Sequence, residues 1–297
     1  MISVVVCTRN RALSLERFLR HMSVIKQDPN LVWQLVVVDN GSDDATRAVI
    51  AAFARLLPLQ YEFEPRPGLS RARNRGIVAA RCPIVAFTDD DCLVRHDWTS
   101  AIVGAFAKRP ELSILGGKVE RVDPGDYPVG TRMHDQAEEI TTVGQILTLM
   151  IGCNMAFRRG VFDAVGLFDP AFGKGTRIGS AEDIDLLYRA LKLGSRIAYA
   201  PEVVVRHAHG RNTPASLESV TRDYVKGRGA FYCKFIGDRQ ILKMAYWEVR
   251  SLLGERLALR RASRSSASLP SLAQGALYKA LDGMSNGAAR AMQRLTG

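Results

Sequence analysis

A chain of 297 residues with 47% apolar and 24% charged residues can bury a substantial core, which excludes wholesale disorder. The formal net charge of +11 is unevenly placed: from Arg222 onward there are fourteen Lys/Arg and five Asp/Glu, a net +9, leaving +2 for residues 1–221. Such a tail suits an anionic partner, a phospholipid surface or nucleic acid, but no nucleic-acid recognition module is evident.

The five cysteines, Cys7, Cys82, Cys92, Cys153 and Cys233, are scattered without zinc-like spacing, so a reducing, cytoplasmic compartment is expected. Met1 leads directly into an apolar β-like run with no leader pattern, and no stretch of about 18 apolar residues occurs. The expectation is a protein that is soluble or peripheral on the inner face of the plasma membrane.

Ile2–Cys7 and Leu35–Asp39 are continuous β-branched runs of the kind covered on both faces of a sheet. Between them Leu15, Phe18, Leu19 and Met22 form one helical stripe, and Val49, Ala52, Phe53 and Leu56 repeat that spacing after the second run. Pro83–Thr88 predicts another strand, followed by a helix marked by Trp98, Ile102 and Phe106. Further strands are expected at Ser113–Val119, Ile151–Phe157 and Ile197–Val205, with a helix over Glu182–Lys192. This alternation predicts βαβ units in a mainly parallel α/β sheet. From about Ala215 helical, Arg- and Lys-rich sequence takes over, with a Ser-rich break at Ser263–Ser271 before a last Ala/Gly-rich helix. The division expected is an α/β domain, 1–215, and a basic helical extension, 216–297.

In open α/β sheets ligands bind outside the carboxyl ends of the strands. Three such ends are polar here: Cys7-Thr8-Arg9-Asn10, Asp39-Asn40-Gly41-Ser42 and Asp89-Asp90-Asp91. Each alone reads as an ordinary turn or helix cap; together they predict a nucleotide pocket. Three adjacent carboxylates repel one another, a cost offset by a divalent cation, and hard oxygen ligands favour Mn²⁺ or Mg²⁺ shared with phosphates. Arg66–Gly76 adds a turn and a cationic helix start suited to a diphosphate. Ser180 and Asp183 have capping-box spacing, a structural device. A carboxylate ionised in a first helical turn is also a general base for a hydroxyl. His207, directly after Val203-Val204-Val205-Arg206, is a candidate to complete a metal site.

The ordered set Val4–Asn10, Val36–Ser42, Ala72-Arg73-Asn74-Arg75-Gly76, Asp89–Asp91, Gly152-Cys153-Asn154 and Glu182-Asp183 resembles glycosyltransferase family 2, of GT-A fold, over about residues 1–215. The resemblance implies an inverting transfer of one sugar from a nucleoside-diphosphate sugar to a hydroxyl acceptor, a glycan or a lipid-linked molecule in cell-surface polysaccharide or glycolipid synthesis. It assigns Thr8, Arg9, Asn10, Asp39, Arg73, Asp89, Asp90 and Asn154 to the nucleotide sugar and Asp89, Asp91 and His207 to the metal. Asp183 becomes the catalytic base, with Glu182 beside it for the acceptor. The QxxRW signature of processive synthases is absent from the sequence. A sugar-phosphate nucleotidyltransferase would share the sheet and the acidic site, but a Gly-rich loop is missing after the first strand. A non-enzymatic protein binding anionic surfaces would leave the carboxylate cluster unexplained.

Overall fold

The computed structural model describes residues 1–25 and 28–262, with side chains as far as Arg250. The Ser-rich break and the final helix expected from the sequence lie outside the described residues. In chain order the elements are β1 (Ile2–Thr8), α1 (Ala12–Val24), β2 (Trp33–Asp39), α2 (Thr46–Phe53), β3 (Leu59–Phe63) and α3 (Leu69–Ala79). There follow β4 (Ile84–Asp89), β5 (Cys92–Val94), α4 (Trp98–Lys108), β6 (Leu112–Arg121), β7 (Glu138–Glu139) and α5 (Val143–Leu149). The chain then forms β8 (Met155–Arg158), α6 (Gly160–Val165), α7 (Glu182–Lys192), β9 (Arg196–His207), α8 (Pro214–Lys234) and α9 (Arg239–Ala262).

The described strands form one mixed sheet in the order β3-β2-β1-β4-β8-β6-β9-β5, with β7 added beside β9. β1 to β4 pair in parallel, while β8 runs antiparallel between β4 and β6. Because successive strand residues point to opposite faces, β1 and β2 feed two cores. Val5, Val36 and Val38 join α3, α5, α7 and α8 on one side; Val4, Val6 and Val37 join α1, α2 and α4 on the other.

The α1 stripe of Leu15, Phe18, Leu19 and Met22 is buried as expected. In α2 the buried residues are Thr46, Ile50 and Phe53 instead, because the helix ends at Phe53 and leaves Leu56 in an exposed turn. The expected strand at Ile151 starts only at Met155, since residues 151–154 turn back toward the site.

The sheet's parallel register brings Thr8 beside Asp39 and Cys7 beside Asp89, so the polar strand ends converge. The helices α8 and α9 return to this body: Phe231, Ile241 and Met244 are buried in the core that holds α7. Gly227 makes the approach of α8 close enough, since a Cβ there would lie 2.1 Å from Ser180 Oγ.

Candidate active site

The strand ends, the Met150–Cys153 turn, the N-terminus of α7 and α8 enclose a cleft of about 650 Å³. At its floor lie the three carboxylates that follow the body of β4. Thr8 Oγ1 donates to Asp90 Oδ2 at 2.6 Å. Arg11 reaches Asp91 Oδ2 at 2.7 Å and Asp90 Oδ1 at 3.3 Å. His207, at the end of β9, lies with Nε2 3.2 Å from Asp91 Oδ1. That contact follows from β5 and β9 pairing antiparallel, with Cys92 opposite His207.

Burial pushes Asp90 up to about 7, despite Arg11 and Thr8. Burial also raises Asp89, against the pull of Arg73. Asp91 goes the other way: burial is outweighed by His207 and Arg11, and its carboxyl falls below the ordinary range. Burial opposes charge on His207, but the bond to Asp91, the Cys153 thiol and the charges of Asp91 and Asp89 together outweigh it and lift the imidazole to about 9. One carboxylate is therefore held firmly ionised between two cations.

Ligand atoms of Asp91, Cys92 and His207 lie within 4.8 Å of one another. Burial raises the Cys92 thiol well above its ordinary value, so it remains a thiol rather than a soft thiolate. The usable donors of this group are the Asp91 carboxylate and the His207 imidazole, a set that fits a divalent cation, and Asp89 is not part of it.

Arg73 stands across the cleft, 2% exposed. Its Nη1 donates to Glu182 Oε1 at 2.8 Å, its Nη2 to the Gly152 carbonyl at 3.2 Å, and Asp89 Oδ1 is 3.7 Å away. The rings of Phe87 and Phe168 lie 5.8 and 5.4 Å from its guanidinium carbon. Burial, then Asp183 beside it, push Glu182 up to about 7, against the lowering by Arg73.

Asp183 faces the same cleft. Its Oδ2 accepts from Gly152 N at 2.8 Å and its Oδ1 from Ile184 N at 2.8 Å. The Ser180–Asp183 capping box does not form. Ser180 Oγ donates instead to the Asp223 carbonyl at 2.8 Å, because α8 takes it, and the cap residue is Ala181. Ala181 has φ 71°, a left-handed conformation that costs an L-residue about 1–2 kcal/mol. That strain sits directly before the Glu182–Asp183 pair.

The remaining expected residues separate. Arg9 lines the cleft with Thr8. Asn10 and Asp39 are not among the lining residues; Asn10 ties the end of β1 to the loop after β2, and Asp39 closes that loop on itself. Asn10 Oδ1 accepts from Asp43 N at 2.9 Å, and Asp39 Oδ1 accepts from Ser42 N at 2.9 Å. Asn154 is 1% exposed and its amide is fully used. It accepts from Trp98 Nε1 and donates to the Lys118 and Val203 carbonyls, each at 2.9 Å. Those carbonyls flank the β6–β9 bulge at Gly117, where a Cβ would lie 2.1 Å from Val203 O. Asn154 thus braces the sheet beneath the site.

Several lining residues carry no assignment from sequence: Arg11, Arg132, Lys174, Arg211 and the cleft-facing side of α8. A signal existed for α8. Its Ser216, Ser219, Asp223 and Tyr224 form a polar stripe where a helix docking on a core would show an apolar one.

The fold and this carboxylate-rich cleft at the strand ends define a GT-A-type α/β protein. A family model for glycosyl transferase family 2 matches residues 3–166, and the chain belongs to that family. Pre-mycofactocin glycosyltransferase of Mycobacterium tuberculosis is 25% identical over 244 residues, 78% of this chain and 46% of that protein. Validoxylamine A glucosyltransferase of Streptomyces hygroscopicus is 32% identical over 143 residues, 47% of this chain and 33% of its own length. The chain spans less than half the length of these two curated relatives. The mannosyltransferase PcManGT from Pyrobaculum calidifontis, solved with GDP-Man and Mn²⁺, superposes with a TM-score of 0.65 at 23% identity. That match covers 97% of this chain and 84% of the solved one. Staphylococcus aureus TarS 1-349 with UDP-GlcNAc superposes with a TM-score of 0.58 at 20% identity, over 76% of this chain and 66% of its own.

Proposed function

We propose that the protein is an inverting glycosyltransferase that moves one sugar from a nucleoside-diphosphate sugar to a hydroxyl acceptor. What carries the reading is that Asp183, held by Gly152 N–H at 2.8 Å, shares one cleft with Asp89, Asp90, Asp91 and Arg73. Neighbours solved with GDP-Man and Mn²⁺ and with UDP-GlcNAc support a nucleotide-sugar donor and a divalent metal.

In this reading Thr8, Arg9, Asn10 and Asp39 form the nucleotide end and Arg73 faces the diphosphate. Asp89, Asp91 and His207 would hold the ion. When bound, the ion acts as a Lewis acid that makes the diphosphate a better leaving group. Asp183 accepts the proton of the acceptor hydroxyl as that oxygen bonds to the anomeric carbon. The C–O bond to the diphosphate breaks on the opposite face, which inverts the centre. Glu182, bonded to Arg73, orients acceptor and guanidinium together. Asn154 supports the donor pocket from below.

The division at residue 215 stands as part of this proposal, with α8 of the basic extension closing the cleft. The acceptor is a glycan or a lipid-linked molecule, and the protein works in the cytoplasm on the inner face of the plasma membrane. On α9, Leu242, Tyr246 and Val249 form an exposed stripe at i, i+4, i+7, flanked by Arg239, Lys243 and Arg250. An apolar stripe with cationic flanks suits an anionic headgroup layer, each cation adding about 1 kcal/mol. No described helix is long and apolar enough to cross a membrane.

The test is a panel of nucleotide sugars assayed for nucleoside-diphosphate release with Mn²⁺ and with EDTA. Release from one donor in Mn²⁺ that stops in EDTA is expected. Equal turnover in chelator would reject the metal, and no release from any donor would reject the transferase.

A further inference from the structure

The cleft extends beyond Asp183 onto α8, outside the family-matched segment that ends at residue 166. Along that wall the charge is unusual. The Arg132 guanidinium is held by three carbonyls: Nε donates to Met150 O at 3.2 Å, Nη1 to Thr131 O at 2.7 Å and Nη2 to Leu147 O at 3.2 Å. No carboxylate forms an ion pair with it among the described residues. Asp183 acts on it only through space.

Arg228, on α8, lines the same space. Its nearest carboxylate, Glu248 Oε2, is 3.8 Å away, and its Nη1 is buried with no hydrogen-bond partner. Glu248 is already engaged by the Tyr232 hydroxyl. Arg211 adds a third cation on the lining.

A guanidinium cannot shed its proton to escape burial. Placing two of them on one wall, with Glu248 at 3.8 Å from Arg228 as the one carboxylate in ion-pair range of either among the described residues, costs energy that an anion would repay. The cost is visible in Arg132, whose proton is held less tightly than usual because of burial, against the pull of Tyr224 and Asp183 and with a smaller push from Arg228.

The cluster is close to the proposed base. The short Met150–Gly152 turn accepts from Arg132 at Met150 and donates to Asp183 at Gly152. Forked donors approaching from two elements suit a tetrahedral group with several oxygens better than a neutral sugar.

We propose that Arg132 and Arg228, with Arg211 and Tyr224 beside them, form a subsite for a phosphate group carried by the acceptor. This rests on the transferase reading and narrows it: the hydroxyl presented to Asp183 belongs to a phosphorylated molecule. The phosphate belongs either to a soluble phosphorylated sugar or to a lipid-linked one.

The test uses the full chain saturated with Mg²⁺ and whichever of UDP or GDP it binds, so that the donor site is filled. Methyl phosphate is titrated into it by calorimetry. Saturable binding is expected, weakened at least about tenfold by Arg132→Gln and by Arg228→Gln, since each removes a charge-assisted contact. Nucleoside-diphosphate affinity should stay constant in both variants. Arg222→Gln, whose side chain pairs with Glu218 outside the cleft, should bind methyl phosphate like the wild type. Arg228→Gln leaves the three carbonyl bonds of Arg132 intact, so it reports on the subsite even if Arg132→Gln unfolds. A parallel titration with dodecyl phosphate separates the sources: tighter binding indicates a lipid-linked acceptor, equal binding a soluble one. No methyl phosphate binding to the nucleotide-loaded protein overturns the proposal, as does binding that survives Arg228→Gln unchanged. If neither nucleotide binds with Mg²⁺, the transferase reading fails instead. The same titrations on the unloaded variants then still decide the phosphate site.

Discussion

On the wall made by strand ends, each carboxylate has a cation beside it: Arg11 for Asp90 and Asp91, His207 for Asp91, Arg73 for Asp89 and Glu182. On the wall made with α8 the balance is reversed. Arg132 has only carbonyl partners, and Arg228 Nη1 is buried without a hydrogen bond, its ion pair to Glu248 stretched to 3.8 Å. Arg11, His207 and Arg73 of the first wall each meet a carboxylate at 3.2 Å or closer, whereas on the second Arg132 meets none and Arg228 meets Glu248 only at 3.8 Å. The difference teaches that the two walls are built to receive different things. A cation can enter the first by exchanging for Arg11 or the His207 proton, and an anion is what the second would gain.

Substitutions can break this contrast. The largest effect is expected from Asp183→Asn, which keeps an oxygen for Gly152 N–H but cannot take a proton. Turnover should fall about 10²–10⁴-fold while nucleoside-diphosphate affinity stays unchanged, measured by product release and calorimetry. If the variant turns over normally and only its melting temperature drops, Asp183 is structural and Glu182 becomes the candidate base. Phe231→Ala tests whether the second wall belongs to the body. Phe231 is fully buried, so the change should cost about 3–5 kcal/mol in denaturant unfolding. A cost near zero would mean that α8 is only loosely attached.

Asp91→Ala should weaken Mn²⁺-dependent nucleoside-diphosphate binding at least about 10–100-fold, since even indirect supports of a metal site are worth that much. Its affinity in EDTA should match that of the wild type. Gly227→Ala introduces a Cβ into Ser180 and should destabilise by about 1–3 kcal/mol. Its effect should fall on acceptor turnover before nucleotide binding. The smallest effect on stability is expected from Tyr246→Ala, within about 0.5 kcal/mol because the residue is exposed. Co-sedimentation with anionic vesicles should nevertheless weaken. Unchanged sedimentation, or none at low salt by the wild type, would remove the membrane from the account.

The strand-end wall was legible in sequence because its parts are local. A buried β-branched run announces each strand, and the polar residues that follow it must lie at the sheet's carboxyl edge. The second wall was not, because nothing local distinguishes Arg132 in an irregular segment from a surface arginine. Its meaning arises only when α8 returns to the sheet after a long detour. β3 and β5 were missed for a related reason: Leu59–Phe63 is half exposed, and Cys92–Val94 is three residues long. The antiparallel β8 between β4 and β6 is fixed by tertiary pairing, with no pattern of its own. Asn154 is the instructive position. The family resemblance implies ligand contact for it, while its geometry gives both amide hydrogens to the β6–β9 bulge and its oxygen to Trp98.

The most direct test of the central claim is to follow the phosphorus products of the donor by ³¹P NMR. The wild-type chain is incubated with Mn²⁺-matched Mg²⁺, the donor found in the panel and a phosphorylated acceptor. The nucleoside diphosphate should appear as the sugar is transferred, and this should stop with EDTA or Asp183→Asn. Formation of a sugar 1-phosphate with a nucleoside triphosphate from added pyrophosphate would contradict it and identify a nucleotidyltransferase.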